Sequence, residues 1–256
     1  MKPSFIILML ALVPALAFAQ WSADPYQNTP IGVAAGEQAI PKVAVHESGT
    51  TYISWFSQEA GNYNVRLQKL DILGNKMWVD EGLLVSSHPA MTWLTDWDLA
   101  VDHSGYAILV FQDVRTGPNN IYAYRISPTG QFVWGTNGLA LSNNTDFEAS
   151  PVVTVTKANN AVFAWSRESF LMIQKVSPSG QKLWGENGIQ LQGPEEYTWP
   201  KLIPVHEDEI LMGFLNKPVL SGRQQKMFLF NVLMPVELGC GATAWPFQTM
   251  PEYRPM

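Results

Sequence analysis

Short apolar runs with alternating polar residues recur along this chain, and three stretches are near copies: LQKLDILGNKMWVDEGLLVSS (67–87), AYRISPTGQFVWGTNGLALSN (123–143) and IQKVSPSGQKLWGENGIQLQG (173–193). The phase extends upstream, where Pro41, Trp97, Pro151 and Pro200 stand 14 residues before Trp55, Phe111, Trp165 and Phe214. Each interval holds two strand-like runs joined by a polar turn (KVAVHESGTTYISW, DLAVDHSGYAILVF, VVTVTKANNAVFAW, KLIPVHEDEILMGF). Alternating β-branched and aromatic residues around Ser-Gly or Asn-Asn predict hairpins. A third strand follows (YNVRLQKLD, NIYAYRIS, SFLMIQKVS), then a turn carrying Gly74, Gly130 or Gly180. Four residues later stands Trp78, Trp134 or Trp184, and a short strand (GLLVSS, GLALSN, GIQLQG) ends the unit.

A repeat of about 50 residues built from four short strands buries its faces only by stacking on copies of itself. The predicted fold is all-β, a β-propeller of four-stranded antiparallel blades. The expected blades are about 39–87, 88–143, 144–193 and 194–235, the last with three strands. The repeated tryptophan is expected to pack between adjacent blades, because a large flat side chain at a fixed place fills a fixed gap. Trp21 followed by Pro30–Ala34 reads as the end of a repeat, so a latch strand completing the last blade is expected there.

In the fourth copy Pro235 corresponds to Pro128 and Pro178, but the turn Gly and the Trp-Gly are missing from VELGCGATAWPFQTMPEYRPM. If one nucleotide is absent at the Val236 codon, the restored frame admits DGTGLWGNGVALSDDAGVQA, which carries the turn Gly, the Trp-Gly and a V-A-L-S strand. Residues 236–256, Cys240 included, are therefore expected to be an out-of-frame tail, and the native chain to be longer.

The N-terminus has Met1-Lys2, an apolar run Phe5–Phe18 and Ala17-Phe18-Ala19 before Gln20, the order of a secretory signal peptide ending at residue 19. The run is short for a membrane span. Export implies a secreted, periplasmic or cell-surface location, with no membrane span after removal of the signal. With 46% hydrophobic and 15% charged residues the chain can build a sizeable core. A net charge of −6 without a basic cluster argues against nucleic acid as a partner. Cys240 is the sole cysteine, so no internal disulfide is available.

The segment FQDVRTGPNNIYAYRISPTGQFVWGTNGLALS (111–142) resembles the W-x-D-x-R…DIYAQ…G…WG..G repeat of secreted bacterial β-propellers, often found in proteins exported by type IX secretion. The likeness covers roughly 27–235. Phe111, Asp113, Arg115, Ile121, Tyr122, Gly130, Trp134 and Gly135 match, whereas Asn120 replaces the usual Asp, and Ser57 and Arg167 stand at the Asp113 position of other copies. The resemblance implies the architecture and no particular activity.

Candidate ligand-binding residues are Trp93, Asp96 and Trp97 in the long lead-in HPAMTWLTDW, with Tyr197 and Trp199 in the comparable lead-in of the fourth copy. Indoles beside a carboxylate suit sugar rings; packing at a blade seam is the competing reading. Trp55, Phe111, Trp165, Phe214, Gly74, Gly130, Gly180, Trp78, Trp134 and Trp184 are read as structural. Asp113 and Arg115 are read as a structural pair, and Glu195-Glu196 and Glu207-Asp208-Glu209 as solvated turns. His46, His88, His103 and His206 lack ligand spacing, so no metal site is expected, nor any cofactor. No residue stands out as catalytic: the Asp-box of sialidases fails, because the Trp comes four residues after the Gly, and no nucleophile elbow, P-loop or dinucleotide fingerprint is present.

These observations point to an exported, non-enzymatic binding or scaffold module whose partner is a glycan or a protein. The alternative is a propeller-type glycoside hydrolase or lyase acting on polysaccharide. Sequencing the DNA around the Pro235 codon tests the frame: codons that encode the repeat in another frame are expected, and codons that cannot do so refute the shift.

Overall fold

The computed structural model describes residues 24–89, 96–217 and 226–230. Among these residues there are only strands and turns, arranged as four antiparallel sheets. The first holds β1 (Gln38–Val45), β2 (Thr51–Glu59), β3 (Asn62–Leu70) and β4 (Leu83–Ser86); the second holds β5 (Asp98–Val101), β6 (Ala107–Asp113), β7 (Asn120–Ile126) and β8 (Leu139–Ala140). β9 (Glu148–Val155), β10 (Ala161–Arg167), β11 (Phe170–Val176) and β12 (Ile189–Leu191) form the third, and β13 (Glu196–Pro204), β14 (Ile210–Lys217) and β15 (Lys226–Phe230) the fourth. Within each sheet, spatial order follows chain order. First strands touch first strands of the next sheet, β1 on β5, β5 on β9 and β9 on β13. The first strands therefore line an axis and the later strands lie outward, which is the blade arrangement of a β-propeller.

Sequence alternation decides which face of each blade meets which neighbour. Leu109 and Phe111 of β6 pack with Tyr52, Phe56 and Leu67 of the first blade, whereas Ile108 and Val110 pack with Phe163 and Trp165 of the third. Val162 and Ala164 of β10 then face Ile210, Met212 and Phe214 of the fourth. With both faces covered, β6 and β7 are buried along their whole length. A fully buried large apolar side chain such as Phe163 or Leu109 contributes about 1.5–3 kcal/mol.

The seams repeat, and the repeated tryptophan belongs to them. The Trp134 indole lies over the Gly180 turn of the next blade, donates Nε1–H to the Pro178 carbonyl at 3.1 Å, and would stand 2.8 Å from a Cβ placed on Gly180. Trp78 lies the same way over Gly130. A cation near the end of β3, β7 and β11 reaches across as well. Lys69 Nζ donates to the Pro128 carbonyl at 3.1 Å, Arg125 Nη1 to the Pro178 carbonyl at 3.1 Å, and Lys175 Nζ to the Asp208 carbonyl at 3.1 Å. On the same face the β1–β2, β5–β6 and β9–β10 turns are strung together, His46 meeting the His103 carbonyl and His103 meeting the Thr156 carbonyl and Asn159. Asp208, expected on a solvated turn, is instead buried, because it closes this string by pairing with Lys175, Thr156 and Asn160.

The proline-to-aromatic spacing has a structural cause. In β1, β9 and β13 the ladder skips two residues, Ile40-Pro41, Ser150-Pro151 and Trp199-Pro200, opposite Trp55, Trp165 and Phe214. Proline has no N–H to give to a ladder, so it sits in a bulge. The residue before it takes a left-handed backbone, with φ of 49° at Ile40, 52° at Ser150 and 55° at Trp199. At Ile40 this is strained, since β-branched side chains rarely adopt it.

One expectation fails. Pro30–Ala34 forms no strand; Gly32 instead lies against the Trp55 indole of the first blade, where a Cβ would stand 3.0 Å from the ring. Packing against the Trp55 indole takes the place of a latch. Trp21, Trp93 and residues 236–256 lie outside the described residues.

Gly180 and Gly185 both have left-handed backbones (φ 90° and 76°), but only Gly180 faces an indole, and nothing lies within 4 Å of a Cβ on Gly185. Gly180→Ala should therefore destabilise the chain by roughly 1–2 kcal/mol more than Gly185→Ala, measured by urea denaturation. Equal losses would mean the seam does not depend on this contact.

Candidate functional site

Four equivalent repeat positions stand around the axis at the face where each first strand begins: Ile40, Ser150 and Trp199 in the three bulges, and Asp96 just before β5, which has no bulge. Two residues further on stand Lys42, Asp98, Val152 and Lys201. Sequence reasoning selected Asp96 and Trp199 but passed over both lysines and Asp98, which look like ordinary polar positions of half-exposed strands. Their signal is positional: Lys42 and Lys201 each directly follow a bulge proline, and Asp98 follows Trp97, which stands at the proline position of the second blade.

Asp96 joins three blades. Its Oδ1 accepts from Lys42 Nζ of the first blade at 2.6 Å, and its Oδ2 lies 3.5 Å from Lys201 Nζ of the fourth. Burial alone would raise the Asp96 pKa, but the Lys42 hydrogen bond and the charges of Lys42 and Lys201, with the Trp97 N–H, outweigh it and hold the carboxyl below its usual value of 3.8. Asp98 goes the other way. Burial pushes it above 3.8, although Val153 N–H at 3.0 Å and Leu99 N–H at 2.9 Å donate to it and both lysines lie close enough to act on it. Two carboxyls two residues apart in the chain are thus shifted in opposite directions, Asp96 down and Asp98 up.

Beside this cluster the Trp199 side chain is half exposed, and its backbone N–H donates to Ser166 Oγ at 3.2 Å. Two other aromatic candidates are not available to a ligand. Trp97 is 1% exposed, wedged against Phe56 at 4.9 Å between ring centroids and donating Nε1–H to the Ile40 carbonyl at 3.2 Å. It stands where the other blades carry proline and packs in the seam. Tyr197 is buried against Phe214 at 4.7 Å between ring centroids. Trp55, Phe111, Trp165 and Phe214 are all core residues.

Asp113 and Arg115 form a pair, with Nε–Oδ1 at 2.8 Å and the Arg115 N–H on the same oxygen at 2.9 Å. Arg115 also lies 4.2 Å over the Tyr122 ring and donates Nη1–H to the Asn137 carbonyl at 2.7 Å, so it is committed to its own blade. Sequence reasoning missed Glu148, a buried carboxylate that accepts from Trp165 Nε1 at 2.9 Å and Asn144 Nδ2 at 3.0 Å, with Ser142 Oγ as a third partner. In the first blade Gln38 does the same for Trp55, at 2.6 Å. An acceptor three residues before the bulge proline thus accompanies tryptophan opposite the bulge. The blade with Phe214 has Tyr197 there.

Among the described residues no helix is long and apolar enough to cross a membrane, and no three His, Cys, Asp or Glu gather as a metal site.

No family model and no curated protein matches this chain. Several solved structures are similar. An endo-arabinase from Bacteroides thetaiotaomicron aligns at 12% identity over 76% of this chain and 74% of its own, with a TM-score of 0.43. The α-L-arabinofuranosidase PaAbf62A from Podospora anserina, solved in complex with cellotriose, aligns at 12% over 76% and 70%, with a TM-score of 0.40. A puromycin-hydrolyzing peptidase from Mycobacterium tuberculosis aligns at 14% over 81% of this chain but 30% of its own, with a TM-score of 0.43. Fold does not fix activity, which has to be argued from the site.

The two carboxyls have opposite linkage to stability. Asp96, with its pKa lowered, stabilises the fold above pH 3.8, and that contribution fades as pH falls through its folded value. Asp98, with its pKa raised, favours the fold when protonated, and that contribution is lost as pH rises from 3.8 through its folded value. Carboxyl-carbon NMR titration should find Asp96 below and Asp98 above 3.8, and Lys42→Met should move Asp96 upward. Coincident titrations would refute this electrostatic picture.

Proposed function

We propose that the axial mouth engages a polysaccharide and that this chain is a carbohydrate-active β-propeller. The observation that carries the reading is the Lys42–Asp96–Lys201 cluster, with Asp98 two residues after Asp96 and the half-exposed Trp199 two residues before Lys201. An indole offers a flat apolar platform for the C–H face of a sugar ring, while carboxylate and ammonium groups reach its hydroxyl edge. Lys201 is the most exposed charge of the cluster and suits an acidic substituent such as a uronate carboxylate.

Between an inert scaffold and a cleaving enzyme, the split carboxyls favour the enzyme. A display surface needs no such pair, whereas hydrolysis of a glycosidic bond needs an acid for the leaving oxygen and a carboxylate for the positive charge developing on the sugar ring. Asp98 is assigned the acid role: each of its oxygens accepts one backbone N–H and retains a lone pair that can carry the proton. Asp96, kept ionised by its lysines, is assigned the stabilising role. The same reading takes residues 1–19 as an export signal, which places the module outside the cytoplasm among extracellular glycans, and takes the repeat as one of the secreted bacterial kind.

The test is a polysaccharide panel containing neutral and uronate-bearing chains, scored separately for retention and for release of reducing ends. Wild-type protein should retain an acidic polysaccharide and release ends from it. Trp199→Ala and Lys201→Ala should weaken retention by roughly ten-fold, while Asp98→Asn should abolish release and spare retention. Retention without release would return the chain to the binding-module reading, and neither would overturn the assignment of a glycan site.

A further inference from the structure

Two Asn-Gly pairs stand in this chain, Asn137-Gly138 and Asn187-Gly188, at the same place in the second and third blades. Each closes the turn that leads into the fourth strand, and both asparagines are exposed. A glycine after asparagine carries no side chain to shield its backbone nitrogen, so that nitrogen can reach the asparagine Cγ. In a folded chain the approach requires the peptide group between the two residues to turn.

The two blades differ on that point. In the second blade the peptide group joining Asn137 to Gly138 is held at both ends: Gly138 N–H donates to the Gly135 carbonyl at 3.0 Å, and the Asn137 carbonyl accepts from Arg115 Nη1 at 2.7 Å. Arg115 is itself fixed by Asp113 and by the Tyr122 ring. The first blade, which carries Glu81-Gly82 here, is clamped by Arg66 Nη1, which donates to the Glu81 and Gly82 carbonyls at 3.4 and 3.2 Å. In the third blade the clamp is missing. Met172 stands opposite Trp165 as Arg66 stands opposite Trp55, and methionine has no donor. Arg167 is tied to Asp146 at 2.7 Å. The Asn187 carbonyl and side-chain amide have no hydrogen-bond partner among the described residues. The peptide before Asn187 is anchored, since Lys182 Nζ donates to the Glu186 carbonyl at 3.0 Å. Rotation within Asn187 therefore turns a loose peptide group against a fixed one.

We propose that Asn187 is a site of spontaneous deamidation and that Asn137 is protected from it. The Gly188 nitrogen attacks Asn187 Cγ and gives its proton to solvent base; the N–Cγ bond forms, the Cγ–Nδ2 bond breaks, and Nδ2 leaves as ammonia. Water then opens the succinimide at either carbonyl and leaves aspartate or isoaspartate, so no oxidant or second substrate is needed. Both products place a carboxylate beside Glu186. Isoaspartate also adds a backbone methylene just ahead of β12, which pairs with β11 through Ile189, Gln190 and Leu191. Ageing thus acts on the outer strand of the third blade. The site is independent of the axial mouth and does not rest on its assignment.

The full-length protein is kept folded at mildly alkaline pH, and samples taken over time are digested and analysed by mass spectrometry for conversion of each asparagine to aspartate or isoaspartate. A parallel sample is kept unfolded in guanidinium chloride. In the folded protein Asn187 should react roughly ten-fold faster than Asn137 or more, the factor expected for freeing a hydrogen bond to a charged donor. In guanidinium chloride the two should react at similar rates, because the difference comes from the fold. Asn187→Gln, an exposed substitution, should remove the fast reaction and leave the slow one at Asn137. Equal rates in the folded protein, faster reaction at Asn137, or a ratio unchanged by unfolding would overturn the proposal.

Discussion

The rest of the structure depends on the contact between one sheet and the next. No blade buries both of its faces alone, and the residues that settle neighbouring blades against each other recur: at the first two seams an indole lies over the next blade's turn glycine, and at all three a cation reaches the next blade's backbone. Because Trp134 and Arg125 share the Pro178 carbonyl, apolar packing and polar closure act at one point. Truncating the cation would leave the buried Asp102 carboxylate, bound at Oδ2 by Arg125 at 2.6 and 2.8 Å, without its charged partner and with only the Ser104 and Tyr106 N–H groups on Oδ1. Such a loss costs far more than an exposed pair such as Lys182–Glu186 contributes.

The axial mouth follows from this packing. First strands crowd at the axis, and a proline that cannot join a ladder is expelled into a bulge beside it. Three bulges store backbone strain at one rim of the axis. In the second blade Trp97 replaces the proline, no left-handed residue appears, and the freed Asp96 side chain gathers lysines from two other blades. Variation at one repeat position therefore turns a structural device into a charged site. The same logic operates further out, where methionine in place of an arginine leaves the Asn-Gly turn of the third blade without its clamp.

Much of the architecture was legible in the sequence, because period, alternation and the Gly–Trp spacing are local. The role of Trp78 and Trp134 in the seams followed from that spacing. The meaning of the proline-to-aromatic interval was not legible, since a bulge appears only once register is known. For Trp97 the sequence leaves sugar platform and seam packing both open, because an indole beside a carboxylate looks the same whether it faces solvent or a seam; the structure puts it in the seam. Lys42 and Lys201 looked like solvated strand positions, as convergence from blades far apart in the chain leaves no trace in a linear pattern. Glu148 could have been found: it and Gln38 precede their prolines by three residues wherever tryptophan stands opposite the bulge.

The propeller requires that the Trp78 and Trp134 indoles pack on the blade that follows their own. Nuclear Overhauser contacts measure this directly on the full-length chain. Cross-peaks should join the Trp134 indole protons to Gly180 and those of Trp78 to Gly130. Contacts confined to each indole's own sheet, with none to the following turn, would contradict it.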